Sequence, residues 1–211
     1  MPEPVSIMHL RELFMRSLTK TLYIVPCSLL LSGCVISLSP LSDYTGNDSA
    51  KIRIANNVDP LSLKFFKKVG NCLQEVDSKS LVTGVNILGV KSKKSKKVEG
   101  IKSSPEGSPL IMVDVMEYSI QPEQYLQIGY RTTSQSTYSQ QVHSSYRSFI
   151  PKAGHSYEAY TLTGGYYIQP VMIMDITDGK NTPAPEWDIS ECNYEVSMMG
   201  KKVYQNSSSG E

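Results

Sequence analysis

The chain has 211 residues, with 21 Lys and Arg against 20 Asp and Glu, for a formal net charge of +1. That balance supplies no global electrostatic footprint for nucleic acid. Beyond the N-terminal leader there is no run of about 18 apolar residues, so no helix is expected to span a membrane.

The first element is a leader. Arg16 and Lys20 give a short basic region, and Thr21 to Leu31 is apolar, with Leu22, Ile24, Val25, Leu29, Leu30 and Leu31. Small residues Ser32 and Gly33 precede Cys34. This is the layout of a secretory signal peptide. The apolar run falls short of the roughly 20 residues a spanning helix needs, and Pro26 interrupts it. Residues 1 to 14 fit no part of a leader, so translation is expected to begin at Met15 or Met8. The leader removes Arg11, Arg16 and Lys20 together with Glu3 and Glu12, which leaves a charge-balanced body of one ordinary domain.

Leu31-Ser32-Gly33-Cys34 resembles the lipobox of bacterial lipoproteins, over residues 15 to 34 only. The resemblance implies removal of residues 1–33 and acylation of Cys34, a stable anchor because several acyl chains are attached. No Asp follows the cysteine, where Val35, Ile36 and Ser37 stand. The family rule therefore implies the outer membrane; it does not specify the leaflet, and a body facing the periplasm is the expectation. An ordinary signal peptide with an incidental cysteine is the alternative.

Residues 34–49 are rich in Ser, Pro, Asp, Asn and Gly and read as a lipidated tether. The folded domain is expected over 50–199. Lys51 to Ala55 alternates polar and apolar residues, as a half-buried strand does. Asn56-Asn57 and Asp59-Pro60 mark a turn. Leu61 to Val69 fits both a helical spacing (Leu63, Phe66, Val69) and a strand spacing (Leu61, Leu63, Phe65). Leu81 to Val90 reads as a strand, with Gly84 a candidate bulge.

Val90 to Pro109 changes character. Lys91, Lys93, Lys94, Lys96 and Lys97 are followed by a Ser/Pro/Gly-rich stretch, which predicts a long exposed loop at a hairpin tip. The lysines fit two roles: docking on anionic headgroups, or a solvated loop that keeps a sheet edge from pairing with other chains.

Leu110 to Ile120 reads as a central strand and Gln121-Pro122-Glu123 as a turn. Gln124 to Thr133 places Tyr125, Gln127, Gly129 and Arg131 on one face and Leu126, Ile128 and Tyr130 on the other. Ser134 to Ser145 fits an exposed strand or a loop. Tyr146 to Ile150 alternates again, and Tyr157 to Leu162 and Tyr166 to Ile176 are two further strands joined by Gly164-Gly165. Asp178 to Pro185 is a loop, Cys192 to Met199 the last strand, and residues 200–211 a disordered polar tail. The pattern predicts an all-β protein, an antiparallel β-sandwich of the immunoglobulin or transthyretin kind with at most one short helix.

Five positions around one turn carry a second pattern. Phe149, Pro151, Gly154, Tyr157 and Glu158 resemble the F-x-P-x-x-G-x-x-Y-E segment of small β-sandwich envelope lipoproteins of unassigned function. Pro151 would end one strand, Gly154 would allow a positive φ in the turn, and Tyr157 would bury its ring and bond backbone across the corner.

Cys27 leaves with the leader and Cys34 carries lipid, so Cys72 and Cys192 remain. In an oxidising compartment they are expected to pair across about 120 residues, worth about 4–5 kcal/mol in the chain-entropy model; two buried free thiols are the alternative. His143 and His155 show no metal-ligand spacing, so no metal or cofactor is expected. No nucleophile elbow or phosphate-binding glycine loop occurs, which argues against an enzyme. Nine tyrosines fall between Tyr118 and Tyr167. They suit either a contact surface, with Tyr125 and Tyr130 as candidates, or plain strand formation. The functional expectation is an outer-membrane lipoprotein acting by binding, as an accessory or assembly component of an envelope complex with a protein partner. A small lipid-tethered sandwich resembles in architecture the lipoprotein subunit of type VI secretion membrane complexes. The alternative is a stand-alone module for glycans or surface ligands.

Overall fold

The computed structural model describes residues 38–55, 61–81, 86–87, 90–91, 95–135, 139–162, 169–198 and 200–205. Thirteen strands occur among them: β1 Ala50–Ala55, β2 Ser62–Val69, β3 Cys72–Ser80, β4 Asn86–Ile87, β5 Val90–Lys91, β6 Val115–Ile120, β7 Tyr125–Gln135, β8 Gln140–Phe149, β9 Ser156–Thr161, β10 Val171–Asp175, β11 Thr182–Pro183, β12 Tyr194–Val196 and β13 Lys202–Tyr204. There is no helix among the described residues, so Leu61 to Val69 resolves to its strand spacing. The leader, Cys34, Lys93, Lys94 and the Gly164-Gly165 turn lie outside the described residues.

Two sheets form a sandwich, one ordered β11-β10-β9-β1-β6 and the other β3-β2-β7-β8. Their inward side chains make one core. Ile52, Ile54, Tyr118, Tyr157, Ala159 and Ile173 from the first sheet meet Leu63, Leu126, Ile128 and Phe149 from the second. These are the period-2 apolar positions of each strand, which is why the inner faces were legible as alternation. The five-stranded sheet is not purely antiparallel: β1 pairs antiparallel with β6 but parallel with β9. A parallel neighbour requires a long crossover, and the chain between β1 and β9 supplies it by building the other sheet.

Several boundaries differ from the sequence reading, and each difference has a tertiary cause. Leu110 to Asp114 are turns, not the start of a central strand, and Met112 sits at φ 64°. Leu110 is buried all the same, in a small second core with Ala55, Val115, Tyr160, Met174 and Ile176 on the far side of the five-stranded sheet. Cys72–Ser80, which carries few apolar residues, is a nine-residue strand held by β2. Within the expected 178–185 loop, Thr182–Pro183 pairs with β10.

The two segments expected to be free are laid on the body. Residues 38–49 are not a loose tether. Ser80 N–H donates to Ser39 O (2.9 Å), Leu41 N–H to Ser80 O (3.1 Å) and Tyr44 N–H to Ser119 O (2.9 Å). The polar tail is not free through residue 205 either, since Lys202–Tyr204 pairs with Tyr194–Val196.

These additions guard the sheet edges. The open side of β6 is taken by Tyr44 and by Lys96, whose N–H donates to Val115 O and whose O accepts from Glu117 N–H. The open side of β3 is taken at one end by Ser39–Leu41 and at the other by Ser190–Cys192. Covered edges do not template pairing with other chains.

Candidate functional site

The densest chemistry lies on the outer face of the five-stranded sheet. Alternation along β1 assigns Arg53 to solvent, yet it is only 7% exposed. Register places Glu117 of β6 and Glu158 of β9 directly opposite it on its two neighbours. Arg53 Nε donates to Glu117 Oε1 (2.9 Å), and Nη1 donates to Glu158 Oε1 (3.1 Å) and Ser104 Oγ (2.8 Å).

Residues 95–114 cover this row as a strap. Val98 N–H donates to Glu117 Oε2 (2.8 Å), and Lys97 Nζ reaches Glu117 Oε1 (3.2 Å). Ser104 and Ser108 hydroxyls donate to the two oxygens of Glu158, the latter at 2.5 Å. Lys102 N–H donates to Ser156 Oγ (3.2 Å). Two carboxylates therefore face two cations, and each carboxylate oxygen accepts at least one hydrogen bond. This satisfies the condition for holding charge in a low-dielectric setting. Burial pushes the Glu117 carboxyl up, but the Val98 N–H, Arg53 and Lys97 outweigh burial and hold it below its ordinary value. The arrangement is a latch rather than a general acid or base, because its lone pairs are committed. Beside it runs a shallow groove lined by Arg53, Lys97, Ser104, Leu110, Ile111 and Met112. Ile111 and Met112 stand in solvent, the latter 98% exposed.

The lysine run thus has unequal members. Lys96 crosses the Tyr118 ring (4.2 Å to its centroid) and pairs with Asp43 (2.7 Å). Lys97 joins the latch. Lys91 is the last residue of β5. The stretch is not an exposed hairpin tip from residue 95 onward, because the sheet beneath offers it two carboxylates. Tyr118 lies under Lys96 and donates its hydroxyl to Leu81 O (2.8 Å). Burial, with Asp43 nearby, pushes that phenol up to about 12.

The other sheet is covered by a second strap, residues 186–205. Trp187 packs edge-on against Phe66 (5.2 Å) and Tyr125 (5.8 Å). Cys72 and Cys192 form a disulfide. Lys202 bridges Glu75 (3.0 Å) and Glu191 (2.5 Å) and lies over the Tyr194 ring. Burial opposes the Lys202 charge, but these two carboxylates outweigh it and raise its pKa. Glu75 N–H donates to the Tyr204 hydroxyl, which donates to Glu191 (2.5 Å).

The corner residues meet as a unit. Phe149 and Tyr157 rings pack edge-on at 5.4 Å, Gly154 takes φ 73°, and Lys152 N–H donates to the Tyr157 hydroxyl (3.0 Å). Burial pushes that phenol up to about 12 as well. His155 Nδ1 lies 2.7 Å from Asp175, whose carboxyl burial would raise; hydrogen bonds from Thr177 and His155 outweigh burial and lower it. His143 lies apart from this pair, on β8 opposite Thr132. Among the described residues no group of three or more His, Cys, Asp or Glu is placed to hold a metal ion.

The tyrosines do not form one face. Tyr118, Tyr130, Tyr157 and Tyr160 are buried, and Tyr130 exchanges hydrogen bonds with the Gln169 backbone (2.9 Å each). Tyr130 is thus removed from any contact surface by the partner sheet, while Tyr125 is half-buried against Trp187. What stands out from the body is the far end of β7 and β8. Their rungs continue from Arg131↔Ser144 to Gln135↔Gln140, beyond the last rung of β7 with β2 at Ser62↔Gly129. Arg131, Thr133, Gln140, Gln141, Val142 and Ser144 are exposed along this two-stranded arm. At the root of the arm, Gly129 makes room for the Tyr146 ring, which a Cβ there would strike. By sequence this stretch fits strand or loop equally, because Ser, Gln and Thr carry no burial period.

No protein-family model, no curated protein and no solved structure matches this chain.

Proposed function

We infer that this chain is an outer-membrane lipoprotein, anchored through acylated Cys34 with its sandwich in the periplasm. It acts there by binding, as an accessory or assembly component of an envelope complex. The observation that carries the anchoring is the succession along the sequence of a basic region, a short apolar run and Leu31-Ser32-Gly33-Cys34. The Cys72–Cys192 disulfide supports it, since such bonds persist in oxidising compartments.

The binding role is supported by the β7–β8 arm. A two-stranded ribbon gains little stability from itself in water, so an arm of about ten described residues carried outside the core is suited to contact with another protein. Exposed Ile111 and Met112 offer a second apolar contact. The glycan-module alternative drew on a tyrosine face, and four of those tyrosines are buried.

Anchoring is tested by Cys34→Ser. The wild-type protein should sediment with membranes and carry an acyl mass on its N-terminal peptide, and the variant should be released by osmotic shock. Equal release of both would overturn the lipoprotein reading. For the partner, brief crosslinking in cells and mass spectrometry of the purified protein should recover a stoichiometric envelope protein, and Val142→Lys with Arg131→Glu should abolish the recovery. Unchanged recovery with the arm altered would remove the arm from the interface.

A further inference from the structure

Residues 38–41 are fixed to β3 by backbone. Ser80 N–H donates to Ser39 O, Leu41 N–H donates to Ser80 O, and Pro40 bridges Ser80 in parallel. Lys79 Nζ adds a bond to Ser39 Oγ (3.0 Å). Downstream, Asp43 accepts from Ser119 N–H (3.0 Å) and pairs with Lys96, so the segment cannot peel away as an independent linker without breaking both sets. Between the acylation site and Leu38 stand only Val35, Ile36 and Ser37. Four Cα–Cα steps at full extension span about 14 Å. The polar layer of a leaflet is itself about 5–7 Å thick.

We propose that this protein is held with one defined surface against the bilayer: the outer side of β3 around Asp77–Lys79 together with Leu38. The occupant of that surface is the phospholipid headgroup layer. The inference rests on the anchoring reading above and adds an orientation to it. A flexible tether of the length expected for residues 34–49 would let the body tumble. Here all but three of those linking residues are spent on the body, so the anchor acts through a short link on one edge. The chemistry of the edge fits a headgroup layer. Leu38 is 40% and Val76 60% exposed, and Lys79, bonded to Ser39, shares its charge with a half-exposed Asp77.

The test uses the acylated full-length protein in nanodiscs of phosphatidylethanolamine and phosphatidylglycerol, with a gadolinium chelate on a small fraction of headgroups. Amide signals of Leu38 and Val76–Lys79 should broaden severalfold more than that of Met112, on the strap over the other sheet. Inserting a long Gly/Ser linker between Ser37 and Leu38 should erase that gradient. Uniform broadening, or a gradient centred on the β7–β8 arm or the 95–114 strap, would overturn the orientation. So would a gradient that survives the linker, since the short link would then not be its cause. A protein recovered without an acyl mass on Cys34 would instead overturn the anchoring reading, so the two failures are distinguishable.

Discussion

Two straps close this sandwich, and they are held by different physics. Residues 95–114 cross the five-stranded sheet and are latched by Arg53, Glu117 and Glu158, with Ser104, Ser108 and the Val98 N–H completing the set. Residues 186–205 cross the four-stranded sheet and are held by the Cys72–Cys192 bond, by Trp187 against Phe66 and Tyr125, and by Lys202 between Glu75 and Glu191. The first strap buries both faces of β6 and β9, so Arg53, Glu117 and Glu158 sit where water is excluded while Lys97 reaches in from solvent. The second leaves its ion pairs partly wet and relies on a covalent bond. A buried latch is intolerant of losing one member, because the remaining charge has no water to turn to. A covalent latch is indifferent to pH but open to reduction.

The difference can be broken most severely at the disulfide. Cys72→Ser with Cys192→Ser should lower unfolding free energy by about 4–5 kcal/mol in the chain-entropy model, measured by urea titration. Amide protection should be lost first over residues 190–204 and retained at Val98. If the 95–114 strap frays together with the other, the two are not independent.

Next in size is Arg53→Met, which strands Glu117 and Glu158 at 1% and 0% exposure. Removing one partner of a buried ionic set costs about 3–5 kcal/mol. Adding Glu117→Leu and Glu158→Met should recover most of that loss, and a triple variant as unstable as the single one would show that the charges, not the packing, hold the strap.

The pH response separates the straps again. The Glu117 carboxyl is lowered in the fold, so its contribution is present above its ordinary value of 4.5 and is lost as pH falls through the depressed folded value. Lys202 is raised, so its contribution is complete below 10.5 and disappears only as pH climbs through the elevated folded value. Acidification should therefore loosen residues 95–114 at Glu117 and alkali should loosen 186–205. Hydrogen exchange of Val98 and of Glu75 at the two extremes reads each, and Glu117→Gln should flatten the acid limb.

Smaller effects are expected at the corner of Phe149, Pro151, Gly154 and Tyr157. Tyr157→Phe removes the acceptor of Lys152 N–H and should cost about 1 kcal/mol. Gly154→Ala, at φ 73°, should cost about 1 kcal/mol as well. Both are readable as shifts in the urea midpoint at constant slope.

Local sequence exposed some of this and concealed the rest for identifiable reasons. The inward residues of β1, β7 and β9 were legible because apolar residues recur at period 2. The corner was legible because Pro151, Gly154 and Tyr157 each answer a local backbone demand. The pairing of Cys72 with Cys192 followed from counting thiols. Cys72–Ser80 was not legible as a strand, since Gln74, Glu75, Asp77 and Ser78 carry no apolar period and the strand exists by pairing with β2. Lys202–Tyr204 was hidden in a polar tail for the same reason, as its partners Glu75 and Glu191 are remote in sequence. Lys97 and Glu158 stood out singly, but the latch that joins them was not legible. Arg53, Glu117 and Glu158 sit at positions that alternation assigns to water, and only strand order makes them neighbours.

The sequence by itself determined that this chain is built of short strands with alternating faces, that Cys72 and Cys192 are available to pair, and that Cys34 follows a basic and then an apolar stretch. Those properties depend on residues near one another along the chain. Tertiary structure alone decided that β1 lies between β6 and β9 with a parallel neighbour, that residues 95–114 are pulled onto the sheet, and that residues 38–49 belong to the body. Each of these depends on which strand lies beside which. That choice is set by the summed burial and hydrogen bonding of the whole sandwich, a quantity no local window contains.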